Sequence, residues 1–111
     1  MRSYFIDELA PEDVKRIGAH LAHKGHAGSL DGIYYLPVPE ALLSPEQREH
    51  LAACGPFIMP LETGEDWVRL EMLVRAKSIL RCSCVAYAHP ALREHMIDSL
   101  DALIKDLDIA V

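Results

Sequence analysis

Three patterns predict an α+β domain with a mixed sheet of about five strands. In the first, Val68, Leu70, Met72, Val74 and Ala76 alternate with Trp67, Arg69, Glu71, Leu73 and Arg75. Strand side chains point to opposite faces with a period of two, so the first set forms an apolar face. In the second, the same alternation resumes after Lys77-Ser78, with Leu80, Cys82, Cys84, Ala86 and Ala88 on one side. Two long strands, 67–76 and 79–88, joined as a central antiparallel hairpin follow from this. In the third, Leu92, Met96, Leu100, Leu103 and Leu107 recur at three- and four-residue steps, widened by Ile97 and Ile104. That stripe predicts a helix over 90–107, packed on the apolar face of the hairpin. Residues 65–77 contain good helix formers, but their apolar members scatter around a helix and sort on a strand.

The remaining elements follow in order. Residues 2–7 read as a first strand. Pro11, then Glu12 and Asp13, open a helix over 11–24, because proline suits the first helical position and acids suit the positive end of the helix dipole. Val14, Ile17, Gly18 and Leu21 form its inner side, and Gly25 stops it. After a small polar loop, Ile33–Val38 reads as a strand that Pro37 and Pro39 confine to an edge. Ser44-Pro45-Glu46-Gln47 has the residues of a capping box and opens a helix over 45–54, ended by Gly55-Pro56. Residues 57–61 read as a strand, and residues 63–66 turn the chain into the hairpin. The early strands are linked through helices and can be parallel, whereas the hairpin is antiparallel; hence a mixed sheet.

A chain of 111 residues, half apolar and a quarter charged, is one domain (1–111) able to bury its own core. No run is long and apolar enough to span a bilayer, and acids near the start exclude an amino-terminal signal sequence, so the expectation is a cytoplasmic protein that leaves membranes alone. Three cysteines there default to free thiols. The net charge of −6 argues against binding nucleic acid through its phosphates. The charge is uneven: residues 67–88 hold four basic side chains against one acid, while the flanking segments are acidic.

Four groups of residues bear on function. Cys82 and Cys84 share one side of a strand, and Cys54 with a histidine would complete a tetrahedral metal site; read as strand residues, they are small buried apolar side chains. His20, His23 and His26 stand at helical spacing, where two histidines one turn apart share a metal, yet histidines also gather at helix ends to suit the dipole. The expectation is no cofactor and no stoichiometric metal at either cluster. His89, opening a helix beside Pro90, is a candidate acid/base. His50 and His95 follow glutamates on polar helix sides and are expected in solvent. No nucleophile elbow, phosphate-cradling loop or His-Glu-x-x-His pattern is present, so the chain gives no answer on whether it is an enzyme.

The fourth group is the second face of the hairpin. Trp67, Arg69, Leu73, Arg75, Arg81 and Tyr87, with Glu71, Ile79, Ser83 and Val85, mix large apolar side chains with three arginines. Tryptophan, tyrosine and arginine are the residues enriched at interfaces. The leading expectation is a small binding or interaction protein that self-associates as a homodimer through this face. The alternative is an enzyme or binding protein for an anionic small molecule held by Arg69, Arg75 and Arg81. A metal- or thiol-dependent sensor stands third.

Overall fold

In the computed structural model, residues 1–79 and 81–111 are described. They form an α+β domain: β1 (Ser3–Ile6), α1 (Pro11–His23), β2 (Ile33–Pro37), a 3-10 turn (Glu40–Leu42), α2 (Pro45–Glu49), α3 (Leu51–Cys54), β3 (Phe57–Thr63), β4 (Val68–Glu71), β5 (Leu73–Ala76), β6 (Ala86–Tyr87) and α4 (Pro90–Asp106). Among the described residues the sheet has six strands, and every pairing is antiparallel.

Strand β3 lies at the centre, with β2 along one side and the run β4–β5 along the other. Beyond that run, β1 pairs with β4 and β6 with β5. The expected strand 67–76 is thus real but divided at Met72. Leu61 faces Leu70 and Ile58 faces Arg75, so two residues of β3 oppose four of its partner. Pro60 lies in that gap and has no N–H for the ladder, which is where a bulge is tolerated. Met72 turns its backbone the other way: its N–H donates to Arg2 O (3.0 Å), and its carbonyl accepts from Ala88 N (2.8 Å).

The apolar side of the run is as the alternation requires. Val68, Leu70, Met72, Val74 and Ala76 are all buried, under α1 and α4. From the helices come Val14, Ile17, Gly18 and Leu21 of α1, and Leu92, Met96, Leu100 and Ile104 of α4, with Ile97, Leu103 and Leu107 at the margin. A Cβ on Gly18 would lie 2.4 Å from the Tyr34 hydroxyl, so α1 packs closely on the end of the Tyr34 side chain from β2. No described helix is long and apolar enough to cross a membrane.

Two expectations are corrected. The helix over 45–54 is two short pieces separated at His50. The strand over 79–88 shrinks to Ala86–Tyr87, and Leu80 lies outside the described residues. After Ala76 the chain follows the α3–β3 corner instead of turning straight back into a strand: Lys77 N–H donates to Pro56 O (2.9 Å), and the Ser78 hydroxyl to Gly55 O (2.6 Å). The real tight hairpin is β3–β4, turned at Gly64.

Candidate metal centre

The segment displaced from the sheet carries Cys82 and Cys84 to the α2–α3 corner. There, Cys54 N–H donates to His50 O (2.7 Å), a helical turn that sets His50 and Cys54 on one side of the corner. His50 Nδ1 lies 3.1 Å from Cys82 Sγ and 3.8 Å from Cys54 Sγ, and the two sulfurs are 3.6 Å apart. With Cys84, the four ligand atoms all lie within 4.8 Å of one another. Among the described residues this is where three or more such side chains converge. His50, expected in solvent, is half-buried, while Cys54 and Cys84 are buried.

A zinc ion with metal–sulfur bonds of about 2.3 Å and a metal–nitrogen bond of about 2.0 Å requires tetrahedral edges of about 3.8 Å between sulfurs and about 3.5 Å between sulfur and nitrogen. The two sulfur–nitrogen separations, 3.1 and 3.8 Å, lie either side of the required value, and the Cys54–Cys82 sulfur separation, 3.6 Å, is close to its own.

The surroundings hold the ligands in place. Ser44 and Gln47 form the expected capping box at the start of α2: Gln47 N–H donates to Ser44 Oγ (3.2 Å), and Ser44 N–H to Gln47 Oε1 (2.9 Å). The amide end of the same Gln47 side chain, 3% exposed, donates to Cys84 O at 3.0 Å. Ser83 donates to Glu46 at 2.6 Å. The Cys84 N–H points at Cys82 Sγ (3.4 Å), a backbone donor that favours thiolate at that sulfur. The Cys84 thiol and this N–H together hold Cys82 down at about 6, against an ordinary 9.0. Burial pushes the other two thiols up, Cys84 to about 12. Cys82 is therefore the thiol readiest to ionise, and the other two hold their protons more firmly.

The other candidates are placed differently. His20 and His26 line a groove of about 480 Å³ between α1 and α4 together with His95, while His23 is exposed outside it; they do not converge as metal ligands. His89 is the cap of α4. Its Nδ1 accepts from Leu92 N–H (3.4 Å), and its Nε2 faces Leu42 O (2.8 Å), so both nitrogens are engaged in holding the helix start.

The second sheet face is open to solvent. Arg69 is bonded to Glu62 (2.6 Å) and lies over Trp67, and Arg75 is bonded to Glu71 (2.6 Å). Two of the three arginines are thus matched within the chain. Arg81, Ile79, Ser83 and Val85 belong to the displaced loop and leave the face, whereas Leu73 and Tyr87 are opposite each other on β5 and β6. Phe5 joins the face through the row Phe5, Arg69, Glu62 and Ile33, and stacks on Trp67 at 5.6 Å.

The His50-x-x-x-Cys54 spacing was visible in the sequence, and i, i+4 is a ligand spacing on a helix. What was not visible is that the Cys82/Cys84 pair sits in a loop, and so can reach it. Comparison of the chain with known protein families, characterised proteins and solved structures finds no match.

Proposed function

We propose that the chain is a metal-binding protein whose His50, Cys54, Cys82 and Cys84 hold one zinc ion in a closed tetrahedral site. The observation that carries this reading is the convergence of three sulfurs and one imidazole nitrogen within 4.8 Å. Thiolate and imidazole donors select zinc and other thiophilic ions over magnesium and calcium, and a tetrahedral sulfur-rich set favours zinc. Four protein ligands leave no position for water or substrate, so the metal acts as a staple rather than a catalyst. It fastens residues 77–85 to the α2–α3 corner and thereby fixes the start of β6. A reducing, cytoplasmic setting goes with this reading, because the thiols must stay unpaired to take a metal.

A binding function for the open sheet face is the second reading, favoured by Phe5, 49% exposed, and Tyr87, 43% exposed, on the side opposite the helices. The partner it fits is a second copy, since the apolar side chains and ion pairs of one face complement themselves across a twofold axis.

Zinc titration of freshly reduced protein tests the first reading. About one ion per chain should survive desalting, and zinc at about a thousand times its Kd should raise stability by about 4 kcal/mol. Cobalt in its place should give the intense visible bands of a tetrahedral thiolate site. His50→Ala and Cys82→Ser should each abolish retention. Wild-type protein that keeps no zinc after desalting would overturn the reading.

A further inference from the structure

We propose that the metal centre is a peroxide-responsive release site, in which oxidation joins Cys54 to Cys82 and sets the zinc free. The inference rests on the metal reading above and adds its regulation.

Three features of the cluster point to it. First, it holds three thiols around one point, so forming one disulfide leaves only Cys84 and His50, too few donors to retain the ion. Second, Cys54 Sγ and Cys82 Sγ are already 3.6 Å apart, on two segments separated by 28 residues. Neither belongs to a regular strand or a long helix, so closing to the bonding distance of about 2.05 Å needs only a local shift. Third, access is unequal. Cys54 is 3% exposed and Cys84 1% exposed, whereas Cys82 is half-buried on the outer loop and meets a small oxidant first.

The chemistry balances with hydrogen peroxide as the oxidant. The Cys82 sulfur attacks one peroxide oxygen; an S–O bond forms, the O–O bond breaks, and hydroxide leaves and takes up a proton as water. Cys54 sulfur then attacks Cys82 sulfur; the S–S bond forms, the S–O bond breaks, and a second hydroxide leaves, again becoming water. The two sulfurs together lose two electrons, which the peroxide gains. Zinc keeps its charge throughout and departs as the dication.

The consequence separates two roles that the metal combines. Losing zinc alone would free residues 77–85 from the α2–α3 corner. Losing it through this disulfide leaves the loop covalently fastened at the same place, so the fold persists while the ion is delivered to solution.

The test starts from protein loaded with zinc, freed of excess metal and assayed for zinc before any oxidant is added. Hydrogen peroxide is then introduced, with zinc release followed by a chromogenic chelator, thiols counted, and the bonded pair located by peptide mass spectrometry. The expected result is about one zinc released for every two thiols lost, with Cys84 still reduced and zinc uptake restored by dithiothreitol. Cys84→Ser should form the same disulfide, whereas Cys82→Ser should form none. Zinc retained after two thiols are oxidised, a Cys82–Cys84 bond, or Cys82 oxidised beyond sulfenic acid with Cys54 still a thiol would each overturn the inference. Absence of zinc before peroxide is added would instead overturn the metal reading, and this inference with it.

Discussion

Tyr4, on the first strand, reaches the last helix: its hydroxyl donates to Asp101 Oδ1 at 2.7 Å. That bond exists only while the phenol keeps its proton, and the Asp101 carboxylate holds the proton on, raising the pKa from 10.0 to about 12. The folded state therefore binds this proton more tightly than the unfolded chain. The contribution is complete below pH 10.0 and fades as the pH climbs to about 12. Urea denaturation of wild type and Tyr4→Phe should show an advantage for wild type that is constant below that window and lost across it. A difference independent of pH through the window would show that Tyr4 contributes by packing alone. This pairing was beyond reading from sequence, because it joins residues 97 positions apart. His50 is the same lesson in another form. Its spacing to Cys54 is local and legible, but its environment depends on where a distant loop travels.

At the scale of elements, what could be read had a short-range period. The alternation in 68–76 and the stripe of α4 each specify one buried side; the first is buried throughout, and the second at Leu92, Met96, Leu100 and Ile104, with Leu103 and Leu107 only partly covered. The alternation in 79–88 was equally regular, yet it describes a strand only at Ala86–Tyr87. Backbone bonds from Lys77 and Ser78 to the α3–β3 corner outweigh the pattern, and no local signal announces them. Helix α2, with five residues, is too short to persist unaided, so its capping box and its tie to the Cys84 loop define it together. Gln47→Leu keeps the bulk of the side chain and removes both bonds. It should cost about 1–3 kcal/mol, since the buried Cys84 carbonyl loses its donor. It should also weaken zinc binding about 10–100-fold with all four ligands intact. Chelator competition measures this directly, and an unchanged affinity would separate the capping residue from the centre.

For the molecule as a whole, the helices cover one side of the sheet and leave the other to solvent. The pairs Arg69–Glu62 and Arg75–Glu71 spread across the open side, but exposed ion pairs contribute only about 0–1 kcal/mol each and do not account for Phe5 and Tyr87 in water beside half-buried Trp67 and Leu73. Self-association through this face is the expected outcome, and sedimentation of wild type against Leu73→Asp and Phe5→Asp measures it. The variants should shift the protein towards monomer without unfolding it; a wild type already monomeric at about micromolar concentration sinks the idea. The mixture of apolar and charged residues on Trp67, Arg69, Glu71, Leu73, Arg75 and Tyr87 was legible in the sequence, whereas the glutamate that matches Arg69 was not. Glu62 comes from β3, and only the register of β3 on β4 brings it opposite Arg69.

The division of the long strand at Met72 reaches beyond local pairing. Because its backbone bonds to both Arg2 and Ala88, one side of the sheet is finished by two stubs placed end to end, of four and two residues. On the far side, Tyr35 N–H is already given to His26 O (2.7 Å), and Ala27 bridges Tyr34. Among the described residues, neither margin offers a long row of vacant donors and acceptors for another chain to copy. A domain rich in β-prone, apolar segments in this way offers little template for edge-to-edge growth, and self-association is expected at its face rather than its rim.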